Sequence, residues 1–337
     1  MIDIDWDELG FDVTPTKSMF KATCNQNEKW ENGSIIPYGN IELSPAANVL
    51  NYGQGAFEGV KAFRTSKNNT VLFRVDKNAA RMALSTKRLC MPEMDIDFFI
   101  ESVTKIVKDN IDYVPPHGKG SLYIRPVVWG TSIGIGVKPA TEYTFMIFVT
   151  PVGPYFKKGI HPLNLKVTNL YHRAAPKGIG NIKAIGNYSA SLFPLSEAKE
   201  EGFDEVIYLD AINEEYIEEV GSANMFILKD GKIFTPPLSG SILGGVTRDS
   251  VCIVVEKILK IPVKEVNISF QDLISADEVF CTGTAVVVSP IGKISFNGIS
   301  HKINDNKMGK VTKKIRETIV GIQNEQLDDS YNWLKYI

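Results

Sequence analysis

Lys183 stands in Ile182-Lys183-Ala184-Ile185-Gly186-Asn187-Tyr188, with almost no other charge between Ile179 and Ser196. A glycine-rich turn, Lys177-Gly178-Ile179-Gly180-Asn181, precedes it. Small and apolar neighbours remove hydration from an ammonium and lower its pKa, and a neutral amine can attack a carbonyl carbon. Lys183 is therefore a candidate Schiff-base former. The competing reading is a surface lysine whose stem packs while its head stays wet. The remaining residues must decide between the two.

Three features suit a bound phosphate. Gly244-Gly245-Val246-Thr247 leads into a predicted helix, whose free N–H groups and dipole favour an anion. Thr282-Gly283-Thr284-Ala285 closes a predicted strand. Arg81, on a predicted helix, offers a guanidinium that can grip phosphate with two bonds. Each is weak alone, since Gly-Gly ahead of a helix is commonly just a turn. There is no GxxxxGK[ST] loop and no GxGxxG opening a βαβ unit, so nucleotide hydrolysis and dinucleotide binding lack support. A lysine with a phosphate cradle suggests pyridoxal phosphate, which needs a lysine for its aldehyde, an acid opposite its ring nitrogen and donors for its phosphate. Acids follow in Glu218-Glu219-Val220-Gly221-Ser222-Ala223-Asn224, but spacing alone does not separate Glu219 from Glu214, Glu215 or Glu218.

The elements that must carry these residues follow from periodicity. Residues 1–50 read as turn-rich. Val60–Arg64 and Thr70–Phe73 read as a hairpin around Ser66-Lys67-Asn68-Asn69. Asp76 is the expected cap of a helix running through Ala79, Met82 and Leu84 to about Leu89. A second helix is predicted over 97–110, with Phe98, Phe99, Val103, Ile106 and Val107 at helical spacing. Strands are predicted at 121–129, 143–150, 165–168, 205–209, 225–228 and 278–281. Helices are predicted at 187–201, 247–259 and, on the surface, about 307–324. Pro151-Val152-Gly153-Pro154-Tyr155 breaks the pattern and marks a domain boundary.

With 337 residues, the chain predicts two domains. Hydrophobic content of 44% and charged content of 23% allow a sizeable core. A net charge of −2 with no basic run argues against nucleic-acid partners and a polybasic membrane patch. The four cysteines and four histidines are scattered, so no disulfide framework and no metal site is expected. No secretory signal and no membrane-spanning run is seen, which leaves a cytoplasmic protein as the default expectation.

These segments, taken in order, resemble the branched-chain amino acid aminotransferases of the fold-type IV pyridoxal-phosphate group. The resemblance runs from about Asn51 to Ile319. It is carried by Tyr52-Gly-Gln-Gly-Ala-Phe-Glu-Gly-Val-Lys-Ala-Phe63, Leu122-Tyr-Ile-Arg-Pro126, Lys183-Ala-Ile-Gly-Asn-Tyr188, Glu219-Val-Gly-Ser-Ala-Asn224, Gly245-Val-Thr-Arg248 and Thr282-Gly-Thr-Ala285. It implies an α/β (α+β) two-domain fold: a smaller N-terminal α/β domain (1–155), a linker (156–166) and a larger C-terminal cofactor-binding domain (167–337) with a mixed, barrel-like sheet. It implies that Lys183 forms the Schiff base and shuttles the proton, that Tyr188 bonds the cofactor's phenolic oxygen and that Glu219 pairs with its ring nitrogen. Arg81, Val246, Thr247 and Thr284 would hold the phosphate, and Thr284 and Ala285 would lie near the substrate carboxylate. Tyr52, Phe57, Tyr123, Arg125 and Tyr155 would line the side-chain pocket, with Arg125 a candidate for the acidic co-substrate. Ile135 and Val137 match positions donated by a partner subunit, which implies a homodimer. The implied reaction is ping-pong transamination of leucine, isoleucine or valine with 2-oxoglutarate. The alternatives are a D-amino acid aminotransferase, an aminodeoxychorismate lyase, or a non-catalytic cofactor carrier or regulatory protein. Two departures stand out. No CxxC follows Gly283-Thr284-Ala285, so thiol regulation of that kind is not expected, and Ile185 stands where glycine is common.

Overall fold

A computed structural model describes residues 4–153 and 159–337. They gather into two compact units, one of residues 4–153, 182–186 and 322–337, the other of residues 159–181 and 187–321. The lysine segment thus belongs with the N-terminal part of the chain. Of the linker expected at 156–166, residues 156–158 lie outside the described residues, and a strand, Leu163–Thr168, begins within the remainder.

In the first unit, the described residues form an eight-stranded sheet. Its order is Leu334–Tyr336, Thr70–Phe73, Val60–Arg64, Ser121–Gly130, Glu142–Val152, Ser18–Asn25, Ser34–Pro37, with Gly55–Phe57 also paired to Ser121–Gly130. Every pairing is antiparallel. Ser18–Asn25 and Ser34–Pro37 lie in the region expected to be turns. Phe20, Ala22 and Cys24 point inward between exposed Lys21, Thr23 and Asn25, a period-2 signal too short and too polar to stand out. Phe145 gathers Phe20, Trp30, Phe98 and Phe99, with ring centroids 5.9–6.1 Å apart. Helix Ile96–Asp109 begins at Asp95, whose carboxylate accepts the Phe98 N–H at 2.8 Å. Helix Val75–Arg88 differs from expectation at its start. Its N-cap is Arg74 in a left-handed conformation (φ 52°), and Asp76 sits inside the first turn. Leu84 faces outward, while Ala79, Met82 and Ala83 are buried.

The second unit has a nine-stranded mixed sheet among the described residues. Six of its strands close on themselves: Leu163–Thr168, Glu205–Leu209, Ile217–Val220, Ala223–Lys229, Glu278–Gly283 and Val287–Phe296. Closure follows because Ile217–Val220 pairs with strands on both sides, and it removes free edges. Leu163–Thr168 runs parallel to both of its neighbours. Val287–Phe296 was not anticipated, because Pro290 and Gly292 punctuate it. Two expected helices are broken. Residues 187–201 divide into Gly186–Ser189 and Leu192–Glu200, and 247–259 into Val246–Ile253 and a π-helical turn, Val254–Ile258. The last helix, Lys310–Gln323, buries Ile315, Ile319 and Ile322.

Candidate active site

The lysine segment is held by its backbone. Ala184 bridges Ala56 in antiparallel fashion, the Phe57 N–H donates to the Lys183 carbonyl at 3.1 Å, and the Ile185 N–H donates to the Gly55 carbonyl at 3.0 Å. The Lys183 N–H donates to Ser85 Oγ at 3.1 Å. Ile185 packs on Gly55, where a Cβ would lie 2.3 Å from its Cδ1 and would push the isoleucine aside. These bonds fix the main chain of Lys183, whose side chain is half-buried. Lys183 Nζ lies 4.5 Å from the Phe57 ring centroid.

Phe57 also receives Arg125, whose guanidinium carbon is 4.8 Å from its centroid and 5.2 Å from that of Tyr123. Arg125 Nη2 donates to the Tyr123 hydroxyl at 2.9 Å, and its buried Nε–H has no hydrogen-bond partner. A Cβ on Gly59 would lie 2.4 Å from that hydroxyl, so glycine makes room for Tyr123. The structure therefore brings Lys183, Phe57, Tyr123 and Arg125 together, two basic side chains against one aromatic ring.

Arg81, expected at the phosphate, has a carboxylate partner. Its Nε and Nη2 donate to Glu58 at 2.7 and 2.8 Å, and Asn78 Nδ2 adds a third bond at 2.7 Å. Glu58 is fully buried. Burial opposes its ionisation, but the charge and hydrogen bonds of Arg81, with Lys183 and Asn78, hold its carboxyl below the ordinary value. Tyr52 is expected in the side-chain pocket. It is exposed, and its hydroxyl donates to the Ile135 carbonyl. Ile135 and Val137 are 91% and 88% exposed, an unusual state for apolar side chains in a loop. Tyr155 lies outside the described residues.

In the second unit, Glu219 is buried at the register partner of Asn224. Its Oε1 accepts from Asn224 Nδ2 and from the Leu243 N–H, both at 2.8 Å. Its Oε2 lies 3.1 Å from Arg173 Nε. Asn224 Nδ2 also reaches the Leu243 carbonyl at 2.8 Å. A Cβ on Gly245 would meet Asn224 Oδ1 at 2.0 Å, so the glycine lets the asparagine dock on the turn that starts helix Val246–Ile253. Asn224 thus joins the best candidate acid to the best candidate phosphate cradle. Gly245 caps that helix without a side chain, and Thr247 is buried in its first turn. Across the sheet, Thr282 pairs with Asn224 and its buried hydroxyl has no partner, just ahead of half-buried Thr284 and Ala285. Tyr188 is half-buried, and its carbonyl accepts from Ser191. A buried carboxylate, an unbonded buried hydroxyl and a helix start opened by glycine suit a phosphorylated, cationic ring such as pyridoxal phosphate.

The sequence reading missed Glu58, Ser85 and Arg173. Glu58 and Arg173 each carried a faint signal: a lone charge inside an apolar or small-residue run, Ala56-Phe-Glu-Gly59 and Arg173-Ala-Ala. The role of Ser85 had no local signal, because it comes from a residue 98 positions away.

Comparison with known proteins agrees with this geometry. The family description Amino-transferase class IV matches residues 55–294. The chain is 47% identical to branched-chain amino acid aminotransferase 2, chloroplastic, of Humulus lupulus, covering 99% of this chain and 81% of that one. It is 44% identical to branched-chain amino acid aminotransferase 1, mitochondrial, of the same plant, covering 98% and 84%. The solved branched-chain amino acid aminotransferase from Escherichia coli superposes with a TM-score of 0.78 at 30% identity, covering 95% of this chain and 98% of that one. The expectation of a cytoplasmic protein is corrected by the two plant relatives, which are named for the chloroplast and the mitochondrion. A near-neutral net charge suits any aqueous compartment, so composition carried no address. The chain belongs to the class IV aminotransferases and, within them, to the branched-chain amino acid aminotransferases.

Proposed function

We propose that Lys183 is the base of a transaminase acting on branched-chain L-amino acids and 2-oxoglutarate. The observation that carries this is the clamped lysine itself, its main chain bonded to Gly55, Phe57 and Ser85 and its amine against the Phe57 ring. The enzyme depends on pyridoxal phosphate. When bound, that group supplies an aldehyde for imine exchange and an electron-withdrawing ring. Lys183 Nζ would take the proton that leaves the substrate α-carbon and pass it on within the same half-reaction, which regenerates the amine, and the second half-reaction would run this transfer in reverse. Glu219 holds a fixed negative charge in a buried setting, the partner that a protonated ring nitrogen needs. The N–H groups at Val246 and Thr247, with Thr284 and Arg81, would hold the phosphate, and Tyr188 would bond the phenolic oxygen. Ala285 and Thr284 would lie near the substrate carboxylate.

Phe57 offers an apolar wall for an aliphatic side chain. Arg125 has an unpartnered buried N–H and a neighbouring Tyr123 hydroxyl, a donor set for the γ-carboxylate of the acidic co-substrate. Exposed Ile135 and Val137 support a homodimer in which this loop serves the partner's pocket. The bond between Tyr52 and Ile135 makes Tyr52 part of the same exposed group. The two plant relatives named above are branched-chain enzymes, so the D-amino acid aminotransferase, lyase and non-catalytic readings are not favoured.

Sequential addition of L-leucine and 2-oxoglutarate tests the function. The visible absorption of the bound cofactor should fall with the first and return with the second. A spectrum that L-leucine leaves untouched would defeat it. For Arg125→Gln, the glutamate half-reaction should slow about 10- to 100-fold more than the leucine one, the worth of a charge-assisted hydrogen bond. Equal losses would remove Arg125 from co-substrate recognition.

A further inference from the structure

A second buried carboxylate stands beside Glu219, and the steps above give it no task. The strand Ile217–Val220 carries one more residue than its partner between Leu209 and Ile207, so Glu218 and Glu219 fall in a β-bulge. A regular strand would send consecutive side chains to opposite faces, whereas here both are buried within one polar cluster. Glu218 Oε1 accepts a short hydrogen bond from Ser241 Oγ, and its Oε2 has no hydrogen-bond partner. Ser239 Oγ lies 3.3 Å from the same serine hydroxyl. The Ser241 carbonyl in turn accepts a short bond from Arg173 Nη2.

The geometry of Arg173 makes this chain matter. Its Nε is 3.1 Å from Glu219 Oε2, but the N–H makes no hydrogen bond there, so the contact is an ion pair with little directional hold. The Ser241 carbonyl is the directed bond that orients the guanidinium. It is also tightly packed, since a Cβ on Gly180 would lie 2.2 Å from it.

We propose that Glu218 is a positioning residue for the aminotransferase reaction: through Ser241 it fixes Arg173, and through Arg173 the carboxylate of Glu219. This rests on the reading that Glu219 faces the cofactor's ring nitrogen. Burial pushes the Glu218 carboxyl up, against the Ser241 hydrogen bond and the charges of Arg173 and His172, and Asp210 adds to the rise. A neutral Glu218 still accepts from Ser241 and leaves the arginine's charge to Glu219. The residue therefore supplies an acceptor to Ser241 Oγ in either protonation state.

The test uses the full-length protein, stripped of cofactor and reloaded. Two readouts are taken: the dissociation constant for pyridoxal phosphate, and the pH midpoint of the bound cofactor's visible absorption. Glu218→Ala should weaken cofactor binding about tenfold and move the midpoint, in the range of losses from residues that orient a ligand-holding group. Glu218→Gln should stay within about twofold of wild type, because it keeps the acceptor. A folded Glu218→Ala with both readouts unchanged would overturn the proposal. So would a Glu218→Gln as impaired as the alanine, since the charge would then be what matters. Glu219→Gln separates the two levels. If it leaves the midpoint unmoved, the reading of Glu219 itself fails. If it moves the midpoint while Glu218→Ala does not, only the role of Glu218 falls.

Discussion

Glu58 in the first unit and Glu218 in the second are both buried glutamates near an arginine, yet they are driven in opposite directions. Glu58 receives two bonds from Arg81 and one from Asn78, and its carboxyl is held low. Glu218 receives one serine hydroxyl, while the nearby arginine bonds a carbonyl and pairs with Glu219 instead, and its carboxyl is pushed up. Burial is common to the two, so the difference lies in the opposing charge and donors: Arg81 bonds the Glu58 oxygens directly, whereas Arg173 bonds elsewhere. One cluster is a closed ion pair that anchors Arg81. The other shares one positive charge between two acids and leaves a carboxyl oxygen unbonded.

The strongest way to break this comparison is to remove the acid from the closed pair. Glu58→Ala takes the counter-charge away from the buried Arg81 guanidinium, which should destabilise the protein by about 3–5 kcal/mol in urea denaturation. A change under about 1 kcal/mol would mean that Arg81 finds another partner and that the pair is not closed. A smaller effect sharpens the contrast in sign. The folded-state pKa of Glu58 is depressed, so its stabilisation is present above the unfolded value of 4.5 and is lost as pH falls through the folded value. The pKa of Glu218 is raised, so its ionisation weighs against the fold once pH climbs above 4.5. Stability measured from pH 4 to 8 should therefore show Glu218→Gln gaining on wild type as pH rises, by under about 2 kcal/mol. A gap that narrows with rising pH would show the carboxylate to be ionised and paired.

How much of this was legible in the sequence differs between the two units. The hairpin at Val60–Arg64 and Thr70–Phe73 and the helix over Ile96–Asp109 were legible because apolar spacing and local caps state them outright. The strand Val287–Phe296 was not, since Pro290 and Gly292 read as breaks until neighbouring strands supply their pairing. At the site, Lys183 and the turn at Gly245 were visible as local chemistry. What holds them was not. Ser85 on Lys183 and Arg173 on Glu219 are contacts across 98 and 46 positions, and only the fold brings them together. The β-bulge that buries two consecutive glutamates was equally hidden, because it depends on a one-residue mismatch between strands.

The central claim is that Lys183 performs the proton transfer. Its most direct test is the rate at which cofactor-loaded Lys183→Ala converts L-leucine in a single turnover. The expected loss is about 10²- to 10⁴-fold or more, the contribution of a positioned acid–base group. Conversion at the wild-type rate would contradict it.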